Sequence, residues 1–121
     1  MTGADWRVVF AAQAVHDLAL IEEHLIRSYR DCGESRSEAL RHAEVRVEGL
    51  IATAERLATA PFRGEAREDV LPALRHLALD NAIFWFIPDP DVHEIRVLAV
   101  FFGAQDHQRH MLVRLLQKGA R

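Results

Sequence analysis

Along the chain the apolar positions switch between a period of two and a helical period, and the switches divide it into elements. Trp6-Arg7-Val8-Val9-Phe10 has the residue types of a short strand. The Ala-rich stretch after it turns to helical spacing, with Val15, Leu18, Ile21, Leu25 and Tyr29 as its apolar stripe. Asp31-Cys32-Gly33 closes this helix, because glycine adopts a left-handed cap at least cost. Ser35 or Ser37 caps a second helix, and Glu38 stands three residues after Ser35, placed for a reciprocal capping box. In that helix Leu40, Ala43, Val47, Leu50, Ala54 and Leu57 form one buried stripe, while Arg41, Glu44, Glu48, Glu55 and Arg56 read as a solvated face. Pro61 cannot continue the hydrogen-bond ladder and Gly64 releases the backbone into a turn, so the two helices form a hairpin.

Three runs rich in β-branched and aromatic residues follow: Leu74 to Leu79, Asn81 to Pro88 and His93 to Phe102. They break at Asp80-Asn81 and at Pro88-Asp89-Pro90-Asp91, where turn chemistry takes over. The simplest reading is a three-stranded meander. Its last run, Ile95 to Phe102, is apolar almost without interruption and is predicted to be the central strand, covered on both faces. Trp85 and Phe101 are predicted core aromatics, with Phe84 and Phe86 on the opposite face against the helices or a partner. Asp106 to Gln117 carries Met111, Leu112, Leu115 and Leu116 at helical spacing, a short amphipathic helix with Asp106 near its start. The order describes an α+β fold. An N-terminal strand leads to a two-helix antiparallel hairpin, the three-stranded antiparallel meander completes one mainly antiparallel sheet, and a short C-terminal helix follows.

At 121 residues the chain is read as a single domain, residues 1–121. Its formal net charge of -3 has the wrong sign for binding nucleic acid through phosphate neutralisation, so direct nucleic-acid binding is not expected. The single Cys32 can form neither an internal disulfide nor a metal knuckle. No stretch is apolar for transmembrane length, and Met-Thr-Gly-Ala-Asp-Trp lacks the regions of a secretion signal. The expectation is a cytoplasmic protein with no membrane partner.

Five segments, in order, carry a resemblance. Trp6-Arg7-Val8-Val9-Phe10 with Ala14 and Asp17-Leu18, then Leu57-Ala58-Thr59-Ala60-Pro61-Phe62-Arg63-Gly64, then Leu74-Arg75-His76-Leu77, then Ile95-Arg96-Val97-Leu98, and last Gly103 with Asp106, resemble the RelE/ParE superfamily of bacterial type II toxins, in its ParE-like branch. The resemblance implies a toxin that inhibits DNA gyrase by binding, causes growth arrest, contributes to plasmid stabilisation, and is neutralised by a cognate antitoxin. It also implies a homodimer or a toxin–antitoxin heterotetramer as the assembled state. Target or antitoxin contacts would then fall on Arg75, Arg96, Gln105, Asp106, Arg109, Met111 and Leu115.

The chain departs from the pattern at Phe102, where many relatives have histidine, and at Gln105, where they have arginine. For the ribonuclease branch, the family's basic groups would fall near Leu79 and Gln105, and neither can carry positive charge. An alternative acid/base set for a translation-dependent mRNA endoribonuclease is His107, His110 and Arg75, since histidine titrates near neutral pH. The plainer reading is that both are surface histidines on a terminal helix, and that His16, His24, His42, His76 and His93 are surface or partly buried polar residues. His107 and His110 share a helix face, but no third ligand is evident, so neither a metal nor a cofactor is expected. Ala11, Ala12, Ala14 and Ala19 either leave an apolar groove for a partner helix or simply pack the terminal helix onto the core. A non-toxic interaction domain of the same fold is the third reading.

Overall fold

A computed structural model describes residues 5–103 and 106–119. The elements are β1 (Arg7–Phe10), α1 (Ala12–Asp31), α2 (Arg36–Glu55), β2 (Glu65–Ala66), β3 (Arg75–Leu79), β4 (Ala82–Asp89), β5 (Glu94–Phe102) and α3 (His107–Gly119). The five strands form one sheet in the order β1-β5-β4-β3-β2, with β1 parallel to β5 and every other pair antiparallel. The helical hairpin covers one face of this sheet and α3 the other. The α+β reading therefore holds, with two additions. β5 is interior, between β1 and β4, but β4 takes the middle place because the two-residue β2 extends the far side beyond β3. Pro88 belongs to β4 rather than to the turn: it pairs with Ile95 at a level where β4 has no neighbour on its β3 side, so a missing N–H is tolerated.

The helix ends follow the sequence closely. Gly33, at φ +99°, lets the amide of Glu34 reach the carbonyl of Tyr29 and its own amide reach that of Arg30, the paired bonds of a Schellman cap. Ser35 Oγ accepts from the Glu38 amide at 3.2 Å, and Glu38 Oε1 accepts from the Ser35 amide at 2.9 Å. The second helix stops at Glu55, earlier than its apolar stripe suggests, and tightens into a 3₁₀ turn over Arg56–Thr59 that still buries Leu57. Two stripe positions are corrected: Val15 and Leu40 are exposed, and the smaller Ala14 and Ala39 beside them are buried instead. Small residues there let the helices come close to their neighbours.

The strands carry two cores, one on each face. Phe84, Phe86, Ile95, Val97 and Val100 pack under α1 and α2 with Leu18, Ile21, Leu25, Leu50 and Leu57. Trp85, Ala99 and Phe101 pack with Leu74 and Met111 on the opposite face. Strict alternation would send Val97, Ala99 and Phe101 to one side. A bulge prevents this: Trp85 pairs with Ala99 and Phe86 with Val97, leaving Leu98 as the extra residue. The register beyond it therefore swaps faces, and the apolar run of β5 serves both cores.

Candidate functional site

β1 pairs with β5 only as far as Phe10 opposite Val97, so the later half of β5 lacks a strand on that edge. The start of α1 and the body of α3 take its place. Asp17, on the buried side of α1, accepts from the Val100 amide at 2.9 Å, and Arg114 of α3 donates to both Asp17 carboxylate oxygens at 2.9 and 2.8 Å. Arg114 also reaches the Leu98 carbonyl at 3.4 Å and lies over the Phe101 ring. Side chains thus satisfy backbone groups that would otherwise be orphaned at a sheet edge. Asp17 stands in the first resembling segment, but neither it nor Arg114 was expected as a site residue. The signal was an acidic residue at a buried position of an apolar stripe, which requires a partner.

Beside this clasp runs an open groove of about 810 Å³ between the start of α1 and α3, bordered by Ala11, Ala12, Leu98, Met111 and Leu115, with Asp106, Arg109 and His110 at its polar rim. Ala11 and Ala12 therefore border a groove, whereas Ala14 is buried in the core and Ala19 faces solvent. Four of the sequence-derived contact residues, Asp106, Arg109, Met111 and Leu115, meet here. Met111 is almost wholly buried and anchors α3 more than it offers surface. Asp106 caps α3, its Oδ1 accepting from the Arg109 amide at 3.3 Å. Gln105 lies outside the described residues.

Arg75 and Arg96 do not join the groove. Arg75 pairs with Phe86, on the helix-covered side of the sheet, and donates to the Gly64 carbonyl at 3.2 Å. Arg96 is exposed near the start of β5, 3.8 Å from Glu94. β4 separates their strands, and their register positions fall on opposite faces. The set His107, His110 and Arg75 is not assembled either, because Arg75 belongs to the face opposite α3.

A different cluster forms where α3 begins. Trp85 Nε1 donates to His107 Nδ1 at 3.1 Å, and the His76 ring lies 4.5 Å from the Trp85 ring and 5.0 Å from that of His107. His76 Nε2 is buried without a hydrogen-bond partner, 3.9 Å from Glu65 Oε1. Arg67 is fixed by Asp69 at 3.0 Å, donates to Gln108 of α3 at 2.8 Å and lies over the Trp85 ring. Burial lowers the pKa of His76, helped by His107 and Arg67 against the pull of Glu65. Burial likewise lowers that of His107, with Asp106 opposing and Arg67 assisting. The surface reading of His107 is thus corrected to half-buried, and His76, read as surface or partly buried, is buried, because the meander register and α3 stack both against Trp85. His110 goes elsewhere, against Phe101. Among the described residues no three His, Cys, Asp or Glu side chains gather as a metal site, and no helix is long and apolar enough to cross a membrane.

This architecture is the RelE/ParE fold. Among solved structures the chain is similar to a chain of the chromosomal ParDE TA system from P. aeruginosa, with a TM-score of 0.62 and 18% identity, over 82% of this chain and 97% of that one. It is also similar to a chain of the toxin–antitoxin complex RelBE2 from Mycobacterium tuberculosis, with a TM-score of 0.57 and 14% identity, over 84% of this chain and 94% of that one. No family model and no curated protein matches the chain.

Proposed function

We propose that the chain is the toxin of a type II toxin–antitoxin pair and acts in the ParE manner, inhibiting DNA gyrase by binding and held inactive by a cognate antitoxin. The observation that carries this reading is the likeness of fold to a ParDE chain over nearly the whole of that chain's length. The groove supports it: an apolar floor at Ala11, Ala12 and Leu98 with Arg109 on its rim suits an amphipathic partner helix bearing an acidic residue. Leu79 and Gln105 stand where the ribonuclease branch would need cations, which favours a binding mechanism over a catalytic one.

One observation favours ribonuclease action as a second reading. His76, His107, Arg67 and Glu65 bring two histidines, a cation and a carboxylate together on the sheet face that lacks the hairpin. Such a set could move protons at a phosphodiester. Inducible expression alone and with the product of the neighbouring reading frame tests the reading. Growth arrest relieved by the neighbour, with lost supercoiling and intact messages, is the expected result. Cleaved messages would instead favour the second reading, and normal growth at full soluble expression would leave a non-toxic binding domain.

A further inference from the structure

We infer that the first turn of α3 is a proton-sensitive latch: it is docked on the sheet while His107 is neutral and loosened when His107 takes up a proton. The indole N–H of Trp85 can only donate, so at 3.1 Å the Nδ1 of His107 must present a lone pair. The ring is then neutral, with its proton on Nε2. Protonation places a second N–H at Nδ1, facing the first. The hydrogen bond is lost and becomes a contact between two donors.

The surroundings decide whether that contact can be tolerated. From β3, the His76 ring lies edge-on to His107. From the segment after β2, Arg67 brings a fixed cation over the Trp85 ring and to Gln108. The opposing carboxylates are Glu65 on β2 and Asp106 on the helix itself, while Asp69 is already committed to Arg67. Burial and Arg67 outweigh the two carboxylates, so the neutral ring is the form that fits this site. The pKa of His76, whose Nε2 is buried and unpartnered, is lowered too, first by burial and then by His107 itself.

Further along α3 the anchors are of another kind. Met111 is buried, and Arg114 holds Asp17. Acid therefore loosens the first turn, leaving it the exposed Arg67–Gln108 bond as a tether, while the later turns stay docked. Asp106, Arg109 and His110 lie in or beside that turn and border the groove, so the groove changes shape at its rim. This inference concerns docking within one chain and does not depend on what the groove binds.

The full-length protein is titrated from about pH 8 to about pH 5, following the Trp85 indole signal, the ring nitrogens of His76 and His107, and backbone amide exchange along α3. The expected result is one shared midpoint for His107 and the Trp85 indole, below that of an exposed histidine. After division by the intrinsic exchange rate at each pH, protection of the Arg109 and His110 amides should fall about tenfold, with little change in residues 111–117. In H107Q, whose side chain stays neutral at every pH, both changes should vanish. An indole signal that is flat through the His107 titration, or the same acid response in H107Q, overturns the latch. Should H107Q fold poorly, the wild type decides alone. Protonated Nδ1 in His107 at about pH 8, or separate midpoints for His107 and the indole, refutes the latch.

Discussion

Replacing Asp17 by Ala perturbs the clasp that substitutes for a missing strand, and its effect can be worked from the geometry. Asp17 is 6% and Arg114 19% exposed in their side chains, and the carboxylate holds three hydrogen bonds, one from the Val100 amide and two from Arg114. D17A leaves a largely buried guanidinium without its counter-charge, a loss of about 3–5 kcal/mol for pairs of this kind. It also orphans the Val100 N–H, worth about 1–3 kcal/mol when buried, although the two losses overlap. A net destabilisation of about 4 kcal/mol is expected, which for a domain of this size lowers Tm by more than about 10 °C. R114A leaves the still more deeply buried Asp17 carboxylate with the Val100 amide as its one remaining partner among these, so it should cost a comparable amount, about 3–5 kcal/mol. Paired replacement by apolar residues, D17L with R114M, should recover part of the D17A loss, since the uncompensated charge is gone. Urea unfolding followed by circular dichroism gives all four free energies. A loss below about 1 kcal/mol in D17A or in R114A would refute the clasp.

Other positions make simpler tests. G64A should destabilise by more than about 2 kcal/mol, because Gly64 sits at φ +93° and an added Cβ would lie 2.6 Å from the His76 carbonyl oxygen; thermal melts against G33A, where the φ is also positive but space is open, separate contact from strain. S35A removes the capping box of α2 and should cost about 1 kcal/mol in urea unfolding. Folding lowers the pKa of His76 and His107, so the unfolded chain binds more protons than the folded one. Their contribution is complete above the unfolded histidine pKa and is lost as pH falls through the folded values; midpoints of urea unfolding should drop across that window, and less steeply in H107Q.

Much of this architecture was legible in local patterns. The reciprocal Ser35 and Glu38 bonds, the left-handed Gly33 and the Asp80-Asn81 turn, both residues at positive φ, all rest on neighbours a few positions apart. Features set by distant pairing were hidden. Asp17 and Arg114 are 97 positions apart, so a buried carboxylate in an apolar stripe gave no hint of its partner. The bulge at Leu98 cannot be read from one strand, because it exists only in the register between two. β2 is two residues long and has no periodicity to detect. Asp106 and Arg109, expected as partner contacts, border the groove, whereas the His76, Trp85 and His107 stack had no local signal, because it needs the meander register and the docking of α3 together. Arg75 and Arg96, both expected as partner contacts, lie on strands that β4 separates.

The most direct measurement is supercoiling by purified DNA gyrase with increasing amounts of this protein, alone and after mixing with its neighbour-encoded partner. A binding toxin of the ParE kind should abolish supercoiling in proportion to its concentration, lose that effect when the partner is added, and weaken with the charge reversal R109E. Undisturbed supercoiling at a large excess of folded protein would contradict the proposed mode of action.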